Sequence, residues 1–332
     1  MMLTWTIDQK RLDLSYAWKI SRNTSNFKIN SIVTVTHGKW KGMGEGAPNI
    51  RYDETPERMM LDFERFIRAG AAHIHDLHEL ENVLNKVNVC NALRFAIESA
   101  YIHCLCHADQ TDIYTFLGIQ KPVSVVTSYS LPIMEVGEIK TFYEAHGLNR
   151  FTRLKVKVNA ENAFELIREI HSFTQQPLIV DGNEAWKDPD DVVKFMESLQ
   201  PFSIALIEQP LPAAMPDAYK IVKPRSPYLL FADESICADA DFDVLKQGFH
   251  GINMKLMKAG GYLNGIRLLN EAVKHHMHTM VGCMVETTLG ISSAFHLCAG
   301  VEFVDLDGFM IVQDEPYGLI RESQGQLHLH GE

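Results

Sequence analysis

Short apolar runs in this chain repeatedly carry a charge at or near their ends, in a pattern that could do chemistry. RLKVKV holds Lys155 and Lys157, LIVD ends on Asp181, ALIE on Glu208 and LLFAD on Asp233; GINMK ends on Lys255 and VDLD carries Asp305 and Asp307. From Lys155 the intervals are 26 residues to Asp181, then 27 to Glu208, 25 to Asp233 and 22 to Lys255. Three carboxylates in succession supply oxygen ligands for a hard cation. Mg²⁺ suits such a site, because it needs few protein ligands and leaves positions open for substrate oxygens. Taken singly, each acid could cap the helix that follows it; three in register between lysines point to a site.

Lys155 and Lys157 stand two apart on a strand and so project to one side, with Leu154, Val156 and Val158 on the other. Crowding two ammonium groups disfavours the charged form, which would poise one lysine as a base near neutral pH. Lys255 approaches from a distant strand. A carbon held between the lysines could lose its proton on one face and regain one on the other.

Spacings of 22 to 27 residues match a βα unit, and eight such units close a barrel of about 200–250 residues, with its chemistry at the C-terminal strand ends. From Pro122 the sequence offers eight strand candidates, from VSVVTSYSLPI to FVDLDGF, alternating with helical stretches such as 160–173, 189–199 and 262–274. Ahead of them, residues 1–50 read as β-rich, with IVTVT as a strand and a turn at Gly38–Gly42, and residues 56–107 as helical, Thr55 capping a helix whose first residue is Pro56. The expected fold is α/β: a modified TIM (β/α)7β barrel over 116–320 with an N-terminal α+β capping domain over 1–115. Residues 321–332 are expected to return to the cap.

These fragments, in this order, resemble the enolase superfamily, in the subgroup named for muconate-lactonising enzymes. The likeness spans nearly the whole chain: GMGEGAP in the cap, LKVKV for the paired lysines, VDGNEAW, IEQPL and ADES for the metal ligands, and NMKLMKAGG for the sixth-strand lysine. It implies Mg²⁺ on Asp181, Glu208 and Asp233, an enediolate formed when an α-proton leaves, Lys157 and Lys255 as the acid/base pair, and Lys155 tuning Lys157. The D-x-D of Asp305 and Asp307 resembles the dipeptide epimerases, where such a pair holds an α-ammonium; L-Ala-D/L-Glu, a dipeptide of peptidoglycan recycling, is the implied substrate. Ser130 and Glu286, on the first and seventh strand segments, are read as further substrate contacts. Arg22, in a segment similar to the capping loop of that family, could reach a side-chain carboxylate. N-acylamino-acid racemases and o-succinylbenzoate synthases share the lysines and metal acids but have no use for the acid pair. A catalytically inactive binding barrel is the alternative from another class.

Composition narrows the partners. The 332 residues are 46% hydrophobic and 22% charged, with a net charge of −11, which lacks the basic footprint of a nucleic-acid binder. The beginning of the chain shows no basic-then-apolar signal pattern, no apolar run spans a bilayer, and six scattered cysteines suit reduced thiols, so a cytoplasmic protein is expected. A small dipeptide is the expected ligand, with no membrane partner, and a homo-oligomer is the usual prior. HCLCH (His103–His107) looks metal-binding, but on a helix its four side chains cannot converge. His278 opens a strand, at the wrong end for catalysis, and His296 falls within a helix.

Overall fold

A computed structural model describes residues 2–20 and 23–330. The chain opens as an antiparallel meander of β1 (Thr4–Lys19), β2 (Thr24–His37) and β3 (Trp40–Gly46). Helices α1 (Pro56–Arg68), α2 (Leu77–Val87) and α3 (Asn91–Asp109) pack with it. Local chemistry starts the first two: Thr55 Oγ1 accepts from the Arg58 amide at 3.1 Å ahead of Pro56, and Asp76 from the Glu79 amide at 2.8 Å. The glycines of GMGEGAP serve close packing, for a Cβ on Gly44 would stand 2.2 Å from the Ala96 carbonyl oxygen of α3.

After α4 (Ile113–Leu117) and the two-residue β4 (Val125–Val126), the barrel begins. It runs β5 (Tyr129–Leu131), α5 (Ile139–Ala145), β6 (Leu154–Lys157), α6 (Ala163–Phe173), β7 (Leu178–Asp181) and α7 (Pro189–Ser198). It continues with β8 (Ile204–Glu208), α8 (Pro216–Val222), β9 (Leu229–Ala232), α9 (Phe242–Gly248) and β10 (Gly251–Lys255). The short α10 (Leu256–Ala259) precedes α11 (Tyr262–Lys274), and β11 (His278–Gly282), α12 (Thr288–Phe295) and β12 (Phe303–Asp305) complete it. Among the described residues, eight parallel strands pair in sequence order from β5 to β12. The seam between the ends is bridged where the Ser128 amide donates to Val304 O at 3.0 Å.

Alternation along the strands layers the interior. Ile179, Leu206, Phe231 and Met280 form a fully buried apolar cluster. Asp181, Glu208, Asp233 and Gly282 each lie two residues further on, so the acids stand one layer above that plug, at the mouth. Lys255 closes the same layer, since it pairs with Gly282.

Two expectations change. VSVVTSYSLPI is not one strand: at Thr127–Ser128 the backbone passes from Gly325 O to Val304 O, so β4 lies outside the barrel and β5 inside it. The closing hairpin, β13 (Ile320–Ser323) and β14 (Gln326–Leu329), pairs with β4 and not with the capping sheet, because β4 offers it a free edge. Among the described residues, no helix is long and apolar enough to cross a membrane.

Candidate active site

The barrel mouth and the facing cap enclose a cavity of about 360 Å³. Lys155, Lys157, Asp233, Lys255, Asp305, Asp307 and Ser130 line it from the barrel; Trp18, Ile20, Phe27, Lys28 and Ile50 line it from the cap. Lys155, only 1% exposed, is the hub. Its Nζ lies 2.8 Å from Glu208 Oε2, 2.8 Å from Asp305 Oδ2 and 3.2 Å from Asp181 Oδ2. Lys157 Nζ reaches Asp181 Oδ2 at 2.8 Å and Asn183 Oδ1 at 3.4 Å, and Lys255 Nζ reaches Asp233 Oδ2 at 2.9 Å. β6 and β10 are four strands apart in a barrel of eight, so Lys157 and Lys255 enter the cavity from opposite sides.

For Lys155 and Lys255 these contacts reverse the expectation that crowding lowers a lysine pKa. Burial alone would lower Lys155, but Asp305, Glu208 and Asp181 outweigh it and hold the amine well above its ordinary value. Lys255 is likewise opposed by burial, and Asp233 carries it upward. Burial pushes the acids up in turn; Lys157 and Lys155 pull Asp181 below the usual carboxylate range, and Lys255 and Lys258 do the same for Asp233. Glu208 stays raised, since burial, Asp181 and Asp233 outweigh Lys155.

The three acids are oxygen donors in adjacent strand-end positions, all nearly or wholly buried, which is the donor chemistry Mg²⁺ takes. Among the described residues, the close polar neighbour of Glu208 Oε2 is the Lys155 ammonium at 2.8 Å, and no hydrogen bond from another donor occupies that oxygen. Their side chains are turned onto the lysines. Among the described residues no three His, Cys, Asp or Glu side chains are gathered to hold a metal ion; Asp181 is paired with Lys157 and Asp233 with Lys255.

The acid pair is divided by its neighbours. Asp305 Oδ1 accepts from Ser128 Oγ at 2.9 Å and Ser130 Oγ at 3.2 Å, while its Oδ2 meets Lys155. Asp307 is held by the Ser130 amide and hydroxyl and, among the described residues, has no lysine within ion-pair distance. Burial and the charge of Asp305 raise Asp307 to about 7, whereas for Asp305 the pull of Lys155 overcomes burial and the net shift is downward.

Glu286 is not part of the cavity lining. It lies four residues beyond the end of β11 and folds back onto the Met284 amide at 2.7 Å; burial and Glu45 raise it to about 8. Arg22 lies outside the described residues. His278 bonds Glu302 at the start of β11, and His296 bonds Tyr114 at the end of α12. His103 and His107 tie α3 to the Met43 and Lys41 carbonyls of β3, a packing role. Sequence reasoning missed three supports. Lys258 holds Asp233 from behind, Asn253 donates to Glu208 at 2.9 Å, and Gln209 Oε1 accepts the Asp233 amide at 2.9 Å. Lys258 was visible as the second lysine of NMKLMK; the two amides carried no charge to mark them.

An eight-stranded barrel with carboxylates and lysines on its strand ends, under an N-terminal cap, defines a class, and comparison agrees with it. Residues 136–319 match the family described as enolase C-terminal domain-like. The chain therefore belongs to the enolase superfamily. It is 31% identical over 295 residues to an L-Ala-D/L-Glu epimerase of Bacteroides thetaiotaomicron, covering 87% of this chain and 76% of that protein. It is also 31% identical over 325 residues to an L-Ala-D/L-amino acid epimerase of Pedosphaera parvula, covering 95% and 93%. The crystal structure of a dipeptide epimerase from Enterococcus faecalis, complexed with Mg and L-Leu-L-Tyr, superposes with a TM-score of 0.88 at 26% identity, over 99% of this chain and 97% of that one.

Proposed function

We propose that this protein is a Mg²⁺-dependent dipeptide epimerase, inverting the α-carbon of the C-terminal residue by two-base 1,1-proton transfer. The observation that carries this reading is the opposition of Lys157 and Lys255 across one cavity, on strands four apart. Asp181, Glu208 and Asp233 would hold Mg²⁺. When bound, the ion supplies positive charge beside the substrate carboxylate, where charge accumulates as the α-proton leaves.

The chain's own residues divide the remaining work. Lys157 Nζ takes or returns the proton on one face and Lys255 Nζ on the other, each therefore needed in a different protonation state for a given direction. Lys155, matched to three carboxylates, serves as a fixed cation that orients Asp181, Glu208 and Asp305. Asp305 and Asp307, positioned by Ser128 and Ser130, receive the α-ammonium of a free-amine dipeptide. An N-acylated amino acid brings no cation to Asp307, which favours a dipeptide over the substrates of N-acylamino-acid racemases or o-succinylbenzoate synthases. The relatives' names support L-Ala-D/L-Glu as the type of substrate, and with it a place in peptidoglycan-peptide recycling.

The test is a dipeptide library incubated with Mg²⁺-replete protein in D₂O and read by mass spectrometry for a gain of one deuteron. Exchange with inversion in at least one free-amine dipeptide is expected. No exchange in any dipeptide, or a preference for N-succinyl or N-acetyl amino acids, would overturn the reading.

A further inference from the structure

β5 and β12 are the two ends of the strand order, so the barrel closes at the seam between them. The proposed ammonium site lies on that seam. Ser128 and Ser130 stand on the β5 side and Asp305 and Asp307 on the β12 side, joined across it by side-chain hydrogen bonds. The geometry of the acid pair therefore follows how the two end strands are held together at the mouth.

A strand of the cap does part of that holding. The register of β1 on β2 breaks between Asp13 and Trp18, where the four residues 14–17 face only Asn26. Released from β2, this stretch bonds to the barrel. The Ser15 amide donates to Ile311 O and the Gln313 amide to Asp13 O, both at 2.8 Å, and Leu14 bridges Val312. On the other side of the seam the Ile133 amide, just past β5, donates to Lys19 O at 2.9 Å. β1 thus spans the seam, bonded to the segments that follow each end strand.

Tyr16 stands in the middle of the crossing. Its Oη lies 3.0 Å from Tyr129 Oη, and Tyr129 immediately precedes Ser130. Phe142 and His146 meet the Tyr16 ring edge-on, with centroids 4.9 and 5.5 Å away, which fixes it in place. Burial raises both phenols, so the pair stays neutral. The charge of Asp307 adds to the rise in each, as expected of hydroxyls beside that carboxylate. Neither tyrosine is among the residues that line the cavity.

We infer that Tyr16 is a positioning residue for the ammonium site. Through Tyr129 it fixes Ser130, which holds Asp307, while its strand pins the loop that follows Asp307. This rests on the proposed dipeptide epimerase activity and deepens it: the cap, and not the barrel alone, sets the geometry in which the acid pair meets its cation.

The experiment measures kcat and KM for L-Ala-L-Glu in wild-type protein, Tyr16→Phe, Asp307→Asn and the double variant, with circular dichroism confirming each fold. Tyr16→Phe removes one oxygen and keeps the ring against Phe142 and His146. It should raise KM about 3- to 10-fold with little change in kcat, the mark of lost binding and not of lost chemistry. In the Asp307→Asn background the same substitution should add less than about 2-fold, because the charge it positions is gone. An unaltered KM in folded Tyr16→Phe, a loss confined to kcat, or an equal KM rise in both backgrounds overturns the assignment and leaves the epimerase reading intact. Wild-type protein that exchanges no dipeptide overturns both. Should Tyr16→Phe not fold, Tyr129→Phe, which breaks the same hydrogen bond from the barrel side, decides by the same comparison.

Discussion

Glu98 of the cap accepts a hydrogen bond from the Leu263 amide in the barrel at 2.9 Å, across 165 residues of chain. It sits at the start of α11, where Gly261 leaves the room it needs: a Cβ there would stand 1.8 Å from Glu98 Oε2. Glu45, at the end of β3, does the same at α12, accepting from the Thr287 and Gly290 amides at 3.0 Å. Helix N-termini carry unpaired amides and partial positive charge, which suits a carboxylate. The cap is thus docked on the two helices that follow β10 and β11, which sets Trp18 and Lys28 over the mouth.

This docking makes stability depend on pH. Burial raises Glu98 to about 8, against the opposing pull of the Leu263 amide. The folded carboxyl therefore holds its proton more tightly than the unfolded one, whose pKa is about 4.3. Its contribution is present below that value and is lost as pH rises through about 8. Glu98→Gln keeps an acceptor for Leu263 but cannot ionise, so its Tm should fall less than wild type between pH 6 and 9. Calorimetry across that range checks this; parallel Tm profiles would refute it.

Asp181→Asn, Glu208→Gln and Asp233→Asn should each abolish epimerisation and weaken Mg²⁺ binding in isothermal titration. Each removes one of three buried carboxylates, and Asp233 additionally balances Lys255 and Lys258. Full turnover by extensively dialysed protein in EDTA would show that no cation is needed.

Lys157→Ala and Lys255→Ala should each stop net inversion, yet retain exchange of the α-proton in one epimer only, a different one for each variant. Single-turnover deuterium incorporation from L-Ala-L-Glu and L-Ala-D-Glu separates the faces. Both variants exchanging both epimers at the wild-type rate would end the two-base assignment.

Asp307→Asn is the cleaner probe of the ammonium site, because Asp305 is also bound to Lys155 and its loss disturbs the hub. A charge-assisted contact contributes about 1.5–3 kcal/mol, so kcat/KM for free-amine dipeptides should drop roughly 10- to 150-fold. Asp307 ionises near 7, so wild-type kcat/KM should rise through that pH and the rise should vanish in Asp307→Asn. An identical pH profile in the two proteins would remove Asp307 from substrate binding.

Much of this was legible in one dimension. The intervals from Lys155 to Lys255 follow from the length of a βα unit, and two-residue alternation fixes which side chains share a strand face, so the order of charges around the mouth could be read directly. The helix start at Thr55 was equally local, since the cap and its amide lie three residues apart.

What only the tertiary structure decided are relationships between residues far apart in the chain. Glu286 left the site because its carboxylate turns back onto its own loop, and the closing hairpin found the edge of β4, which no sequence pattern marks as free. The Lys155 amine is held above its ordinary value where crowding alone implied a fall, because three carboxylates from β7, β8 and β12 close on it within 3.2 Å. Periodicity reports which face a side chain occupies. The distance between opposite charges, which sets their protonation, exists only once the barrel has closed beneath the cap.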